Sequence, residues 1–264
     1  MIKVFLSEYR RTVNIWLVFG ILGVAFSICF DSWNDLMAGI ENHSGYVHYY
    51  FWNSAFGGMC REHFLPIFAA FPFAASFCHE RKSKAITYIV SREGKKRYCV
   101  AKYIVNAISG GMVIVIGTAV VLLFLSTIFP MTNSDLADAV PGDLFHDWLA
   151  VHHPMEYGMV EICLGFFRGI IWSSIALLIS VYIDDPFVVT ISPYVGHYAF
   201  TQFCRLLQID NGYRLDMILI GRTVIQSSWN TVRIACTAAM VITAMIGIVF
   251  VRKVERGMQN GILY

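Results

Sequence analysis

Two adjacent serines and a histidine, Ser173, Ser174 and His197, lie within apolar stretches of this 264-residue chain and carry the groups best suited to covalent chemistry. A serine nucleophile needs a base within hydrogen-bond reach and donors for the oxyanion. No Gly-x-Ser-x-Gly turn and no pair of glutamates within one apolar stretch accompanies them, so an intramembrane hydrolase stays an alternative rather than the expectation. Six histidines, His43, His48, His63, His146, His152 and His153, fall in or beside polar stretches, but neither His-Glu-x-x-His nor a Cys/His cluster occurs, and no metal ligand set is assigned. They read as hydrogen-bonding groups of outer loops, with a substrate contact as the alternative. The chain also lacks a Gly-x-x-x-x-Gly-Lys-Ser/Thr run, so it has no phosphate cradle of that kind.

Polar side chains inside apolar stretches are costly and need a reason. Tyr194, His197, Tyr198, Thr201 and Arg205 recur at helical spacings of three, four and seven, forming one polar stripe. Such a stripe either lines a translocation path or makes interhelical hydrogen bonds, with Arg205 snorkelling outward. Arg168 poses the same choice on the preceding apolar stretch. Lysine and arginine concentrate elsewhere: eight of the chain's 20 lie between Glu80 and Lys102. By the positive-inside rule that segment faces the cytosol.

Composition sets the solvent in which these groups must work. With 57% hydrophobic and only 14% charged residues, against roughly 25% charged in soluble domains, most of the chain is expected to face lipid. The net charge of +2 hides a segregation of basic from acidic segments, and nucleic-acid binding is not supported. Seven cysteines, at 29, 60, 78, 99, 163, 204 and 236, are scattered without a Cys-x-x-Cys and read as small packing residues.

The elements that position these groups follow from apolar length and charge. Residues 2 to 13 read as an amphipathic helix lying in the membrane plane, with Ile2, Phe5, Leu6, Tyr9 and Val13 on one face. Lys3, Ser7, Glu8, Arg10 and Arg11 form the other. Apolar spans are expected at about 14–30, 64–78, 103–129, 162–183, 187–207 and 232–251. The first follows a basic flank and precedes Ala25-Phe26-Ser27, as in a secretory signal, but its length favours an uncleaved helix. The second holds Pro66 and Pro72 and is expected to cross with a kink; were it only to dip in and return, the basic segment would face outward against the charge rule. Residues 80–102 form the cytoplasmic loop, and residues 208–231 an outer, part-inserted segment.

Three basic residues precede the first span, eight fill the central loop and three, Arg252, Lys253 and Arg256, follow the last span, which places both termini in the cytoplasm. No repeat divides the chain, so residues 1–264 read as one all-α, six-span membrane domain. Gly165, Gly169 and Ser173, and Ala235, Ala239, Thr243 and Gly247, form low ridges for close helix contact, within the subunit or across a dimer.

The segment around the basic loop resembles the permease subunits of type-2 ABC transporters. In that family the second helix ends in Glu, followed by Gly-Thr, a hydrophobic helical stretch, a Ser-Arg turn and a Lys opening the third helix. Glu80, Ile86 to Val90, Ser91-Arg92 and Lys102 match in order and spacing, while Lys84-Ala85 stands where the family has Gly-Thr and no proline precedes Ser91. The resemblance implies a type-2 ABC permease fold in a cell membrane, that of a bacterium being expected. It implies that Glu80, Arg81, Lys84, Ser91, Arg92, Lys95 and Lys102 couple the chain to a separate cytosolic ATP-binding subunit, which carries the ATP and Mg. A homodimer, or a heterodimer with a similar permease, surrounded by membrane lipids, is implied as well. Tyr194, His197, Tyr198, Thr201 and Arg168 are the candidate path-lining residues, and amphipathic or hydrophobic cargo such as antimicrobial peptides or drugs is the expected export class. A non-transporting anchor or regulatory subunit is the alternative.

Overall fold

A computed structural model describes residues 2–42, 47, 59–130, 153–220, 225 and 227–259. The helices are α1 (Ile2–Thr12), α2 (Ile15–Asp31), α3 (Trp33–Glu41), α4 (Met59–Ala70), α5 (Ser76–Lys82) and α6 (Ala85–Glu93). They continue with α7 (Lys95–Ile128), α8 (Pro154–Ile179), α9 (Pro186–Leu206), α10 (Leu215–Ile220) and α11 (Ser228–Gln259). No strand occurs among the described residues. Of the six histidines singled out by sequence, His43, His48, His146 and His152 lie outside the described residues, as does Cys60's side chain.

By length and composition α7, α8 and α11 can each cross a membrane, and α1 with α2, bent by 55° at their junction, make a fourth candidate. The chain is therefore a multi-pass membrane protein. The bend falls at Asn14, whose side chain accepts from Leu17 N–H and so caps α2, while its amide donates to the carbonyls of Arg11 and Pro72. The stretch 64–78 is not one continuous helix. α4 stops at Ala70, a turn covers Phe71 to Ala75 and α5 begins at Ser76, because Pro72 cannot donate to the helical ladder.

Small residues sit where helices meet most closely, while large side chains such as Phe77, Tyr98 and Phe250 fill the rest of the interior. A Cβ on Gly110 would fall 2.4 Å from Ser173, and one on Gly169 would fall 2.5 Å from the Gly110 carbonyl, so α7 and α8 meet backbone to backbone. Gly247 on α11 receives the Tyr103 ring in the same way, and Ala235 and Ala239 are fully buried. Both small-residue ridges are thus used inside the subunit. The lipid-facing sides of α2 and α11 expose Phe19, Leu22, Phe26, Met240, Val241 and Ile248.

One helix turns differently from its sequence pattern. On α1 the inward stripe is Val4, Glu8 and Thr12, at a spacing of four, while apolar Leu6 and Tyr9 stay exposed. Glu8, grouped by periodicity with the cationic face, is buried against α7.

Candidate functional site

At the end of the bundle that carries the basic segment, four charged side chains from three helices converge. Glu80 on α5 pairs with Lys102 on α7 at 2.8 Å and with Arg11 on α1, and it accepts a hydrogen bond from the Tyr98 hydroxyl. Glu8 completes the set, 3.4 Å from Lys102 and 3.2 Å from Arg11. Lys102 has no solvent exposure and its ammonium lies 4.6 Å from the centre of the Phe73 ring. Burial opposes ionisation of Glu80, but Lys102, the Tyr98 hydroxyl and Arg11 outweigh it and hold the carboxyl below its ordinary value. Two acids and two bases cancel, which is the condition for keeping such charges buried.

Of the sequence-selected coupling residues, Glu80 and Lys102 thus lie inside the bundle, where they join helices. Arg81 does similar work: it donates to the Val181 carbonyl at 2.7 Å and pairs with Asp184, tying α5 to the α8–α9 turn. Cys78 points its thiol at the Ile183 carbonyl beside it. The surface belongs to the others. Lys84, Ser91, Arg92 and Lys95 are exposed around α6, which anchors itself through buried Ile86 and Val90 and presents Tyr88 at 78% exposure.

Backbone geometry fixes how α6 stands. Lys84, just before it, has φ 55°, in the left-handed region that glycine enters freely, and Gly94, just after it, has φ 86°. α7 then starts at Lys95, so the 80–102 segment is helix, turn, helix rather than loop. At 34 residues α7 is about 50 Å long, some 20 Å more than a bilayer core, which leaves room for Lys95 to Lys102 outside the hydrocarbon.

The polar stripe on α9 divides between two neighbours. Tyr194 and Tyr198 meet His63 of α4 at ring-centre distances of 6.2 and 6.4 Å. His197 turns toward α8, its ring 4.9 Å from Trp172 in an edge-to-face contact. Thr201 is half-buried and Arg205 is exposed. Arg168 is buried on α8, about 16 Å of helix rise from the α8–α9 turn and level with His197. These two, Trp172, Gly196, Asp216 and Leu219 line a cavity of about 280 Å³ between α8, α9, α10 and α11. Asp216 is held by two hydrogen bonds from Arg214, at 2.6 and 3.3 Å.

A second cavity, of about 680 Å³, opens nearer the basic end, where the α4–α5 break leaves space against α1, α2 and α9. Trp16, Phe71 and Phe187 give it apolar walls, and Arg11, Asn14 and His79 a polar edge.

Ser173, Ser174 and His197 do not form a nucleophile and base. The Ser173 hydroxyl donates to the Ile170 carbonyl at 3.2 Å, and no hydrogen bond joins either serine to His197. Among the described residues no group of three His, Cys, Asp or Glu side chains stands ready for a metal, and the six described cysteines are free thiols.

Sequence reasoning missed Arg11, Glu8 and Tyr98 as members of the ion cluster and the Arg214–Asp216 pair beside the mid-depth cavity. A signal for Glu8 exists in hindsight: it sits midway between Val4 and Thr12 at a spacing of four. The chain matches no protein-family model, no curated protein and no solved structure.

Proposed function

We propose that this chain is the membrane-spanning permease half of an ATP-driven ABC transporter of the type-2 class, working as a dimer with itself or a similar permease. A separate cytosolic subunit binds and hydrolyses ATP. The observation that carries this reading is the mounting of α6: an exposed helix with Lys84 at its entrance and Ser91 and Arg92 along it, packed through Ile86 and Val90 beside Tyr98, whose hydroxyl bonds the ion cluster that joins α1, α5 and α7. A partner pushing on α6 moves a rigid assembly, because separating its members exposes buried charge. Lys84 supports the resemblance too, since its left-handed backbone suits the glycine found there in the family.

Six crossings follow if the broken α4–α5 pair and the 21-residue α9 each span, in addition to the four candidates. α9 is long enough at about 31 Å but carries its polar stripe into the membrane. Amphipathic or hydrophobic cargo such as drugs or antimicrobial peptides suits the 680 Å³ cavity, whose walls are apolar and whose edge is polar. Export, a bacterial plasma membrane and cytoplasmic termini belong to the same reading.

The test is isolation of the intact complex from native membranes and identification of its soluble subunit. An ATP-binding protein without membrane spans supports the proposal; its absence favours the anchor or regulatory alternative. Reversing charge at Arg92→Glu with Lys95→Glu is expected to lower co-purification and stimulated ATP hydrolysis at least about tenfold with no change in thermal stability, since both residues are exposed. If association and stimulation both survive, α6 is not the docking element.

A further inference from the structure

The geometry points to a site for one anionic phospholipid in the groove between α7 and α11 at the basic end of the bundle, with the phosphate between Lys96 and Arg252 and an acyl chain along the groove. This site needs no ATPase partner and stands apart from the transport reading.

The two helices set the levels of its parts. Tyr103 of α7 reaches into Gly247 of α11, where an added Cβ would fall 2.6 Å from the ring. Lys96 stands about 10 Å of helix rise before that contact and Arg252 about 8 Å after it. Both line the same cavity of about 440 Å³, so the two cations stand at one level across its mouth. Below them Val100, Tyr103, Gly247 and Ile248 make the groove apolar, and the Tyr103 hydroxyl is already engaged, donating to the Thr243 carbonyl. The volume is about three times that of an engineered cavity that holds benzene, enough for a length of hydrocarbon chain. The groove faces the lipid side, where Met245, Ile248 and Val249 are half exposed.

Charge selects the head. Lys96 and Arg252 are exposed, and Glu255 is the acid that shares the cavity with them. Among the described residues none of these three forms an ion pair. Arg256, one turn beyond Arg252, adds another exposed cation, so the mouth of the groove carries a net positive charge. A guanidinium takes phosphate oxygens in a fork and an ammonium takes one as a point charge, whereas a zwitterionic head brings its own cation against both. A second copy in the same orientation presents the same basic end, where like charges repel, while an anionic leaflet complements it.

Native mass spectrometry of the purified full chain, titrated with dioleoyl phosphatidylglycerol or dioleoyl phosphatidylcholine, tests the site. Two cations at about fivefold each give an expected preference of about thirtyfold for the first phosphatidylglycerol bound. Lys96→Gln with Arg252→Gln is expected to remove that preference at an unchanged unfolding midpoint, since both residues are exposed. Arg92→Gln with Lys95→Gln removes the same charge outside the groove and is expected to leave the preference in place. Ala244→Phe fills the groove from an exposed position and is expected to weaken phosphatidylglycerol binding at least about fivefold with both cations intact. Equal affinity for the two lipids, or equal losses from the two double variants, overturns the proposal, because the attraction then belongs to the basic end at large. Undiminished binding by Ala244→Phe overturns it, as does displacement by excess inorganic phosphate, because the acyl chain is then not read. A dimer that Ala244→Phe abolishes gives the groove to a second copy and overturns it too.

Discussion

The ion cluster concentrates the molecule's electrostatic risk in a few atoms. Replacing Glu80 with Gln leaves Lys102 buried with a weaker partner and is expected to cost about 3–5 kcal/mol, read as a fall in the thermal unfolding midpoint in detergent. Adding Lys102→Met to Glu80→Gln should recover part of that loss, because the stranded ammonium goes with it. Acid acts on the same group. The folded-state carboxyl of Glu80 titrates below its ordinary value, so its contribution is complete above the unfolded value and disappears as pH falls through the lower one. An unfolding series from about pH 6 to about pH 3 checks this, and Glu80→Gln should flatten that part of the profile. How visible these residues are in sequence depends on how far away their partners lie. Glu80 and Lys102 stand out as punctuation around a basic run. Glu8 does not, because the group that justifies burying it lies 94 residues further on.

At the scale of elements, α6 depends on two backbone joints of opposite tolerance. Gly94 combines φ 86° with ψ 138°, a conformation that a Cβ disfavours, so Gly94→Ala is expected to lose roughly 1–3 kcal/mol although open space surrounds the site. Lys84 already bears the left-handed cost, and Lys84→Gly should leave the midpoint unchanged or raise it. Denaturation of the two single variants side by side checks both directions. Sequence made α9 legible because Asp185-Pro186 is a strong start signal, and Asp185 does cap the helix by accepting from Phe187 N–H. It made α7 less so, since charge at Lys95 to Arg97 looks like loop until a helix longer than the bilayer is considered. The division of the α9 stripe between α4 and α8 was beyond reach, because spacing puts residues on one face without saying which neighbours share it.

For the whole molecule, the segregation of basic residues makes the sidedness testable. In a background with its own cysteines replaced, Ser91→Cys is expected to react with an impermeant thiol reagent only after cells are broken, and Gln208→Cys in intact cells. Reaction of both in intact cells would contradict the proposed topology. Composition alone told that lipid is the solvent; which apolar stretches cross could not be read as directly, because proline breaks one candidate and polar groups dilute another. The remaining information lies in contacts between distant helices, and these are also ordered in time. Glu8, Arg11, Glu80 and Lys102 are all present once about a hundred residues have been made, so the ion cluster has its full membership early. Arg81 must wait for Val181 and Asp184, on the order of ten seconds later at about 5–20 residues per second. During that interval the nascent chain carries an arginine whose final carbonyl and carboxylate have not yet been synthesised, so the tether of α5 to the α8–α9 turn is made after the ion cluster has all its members.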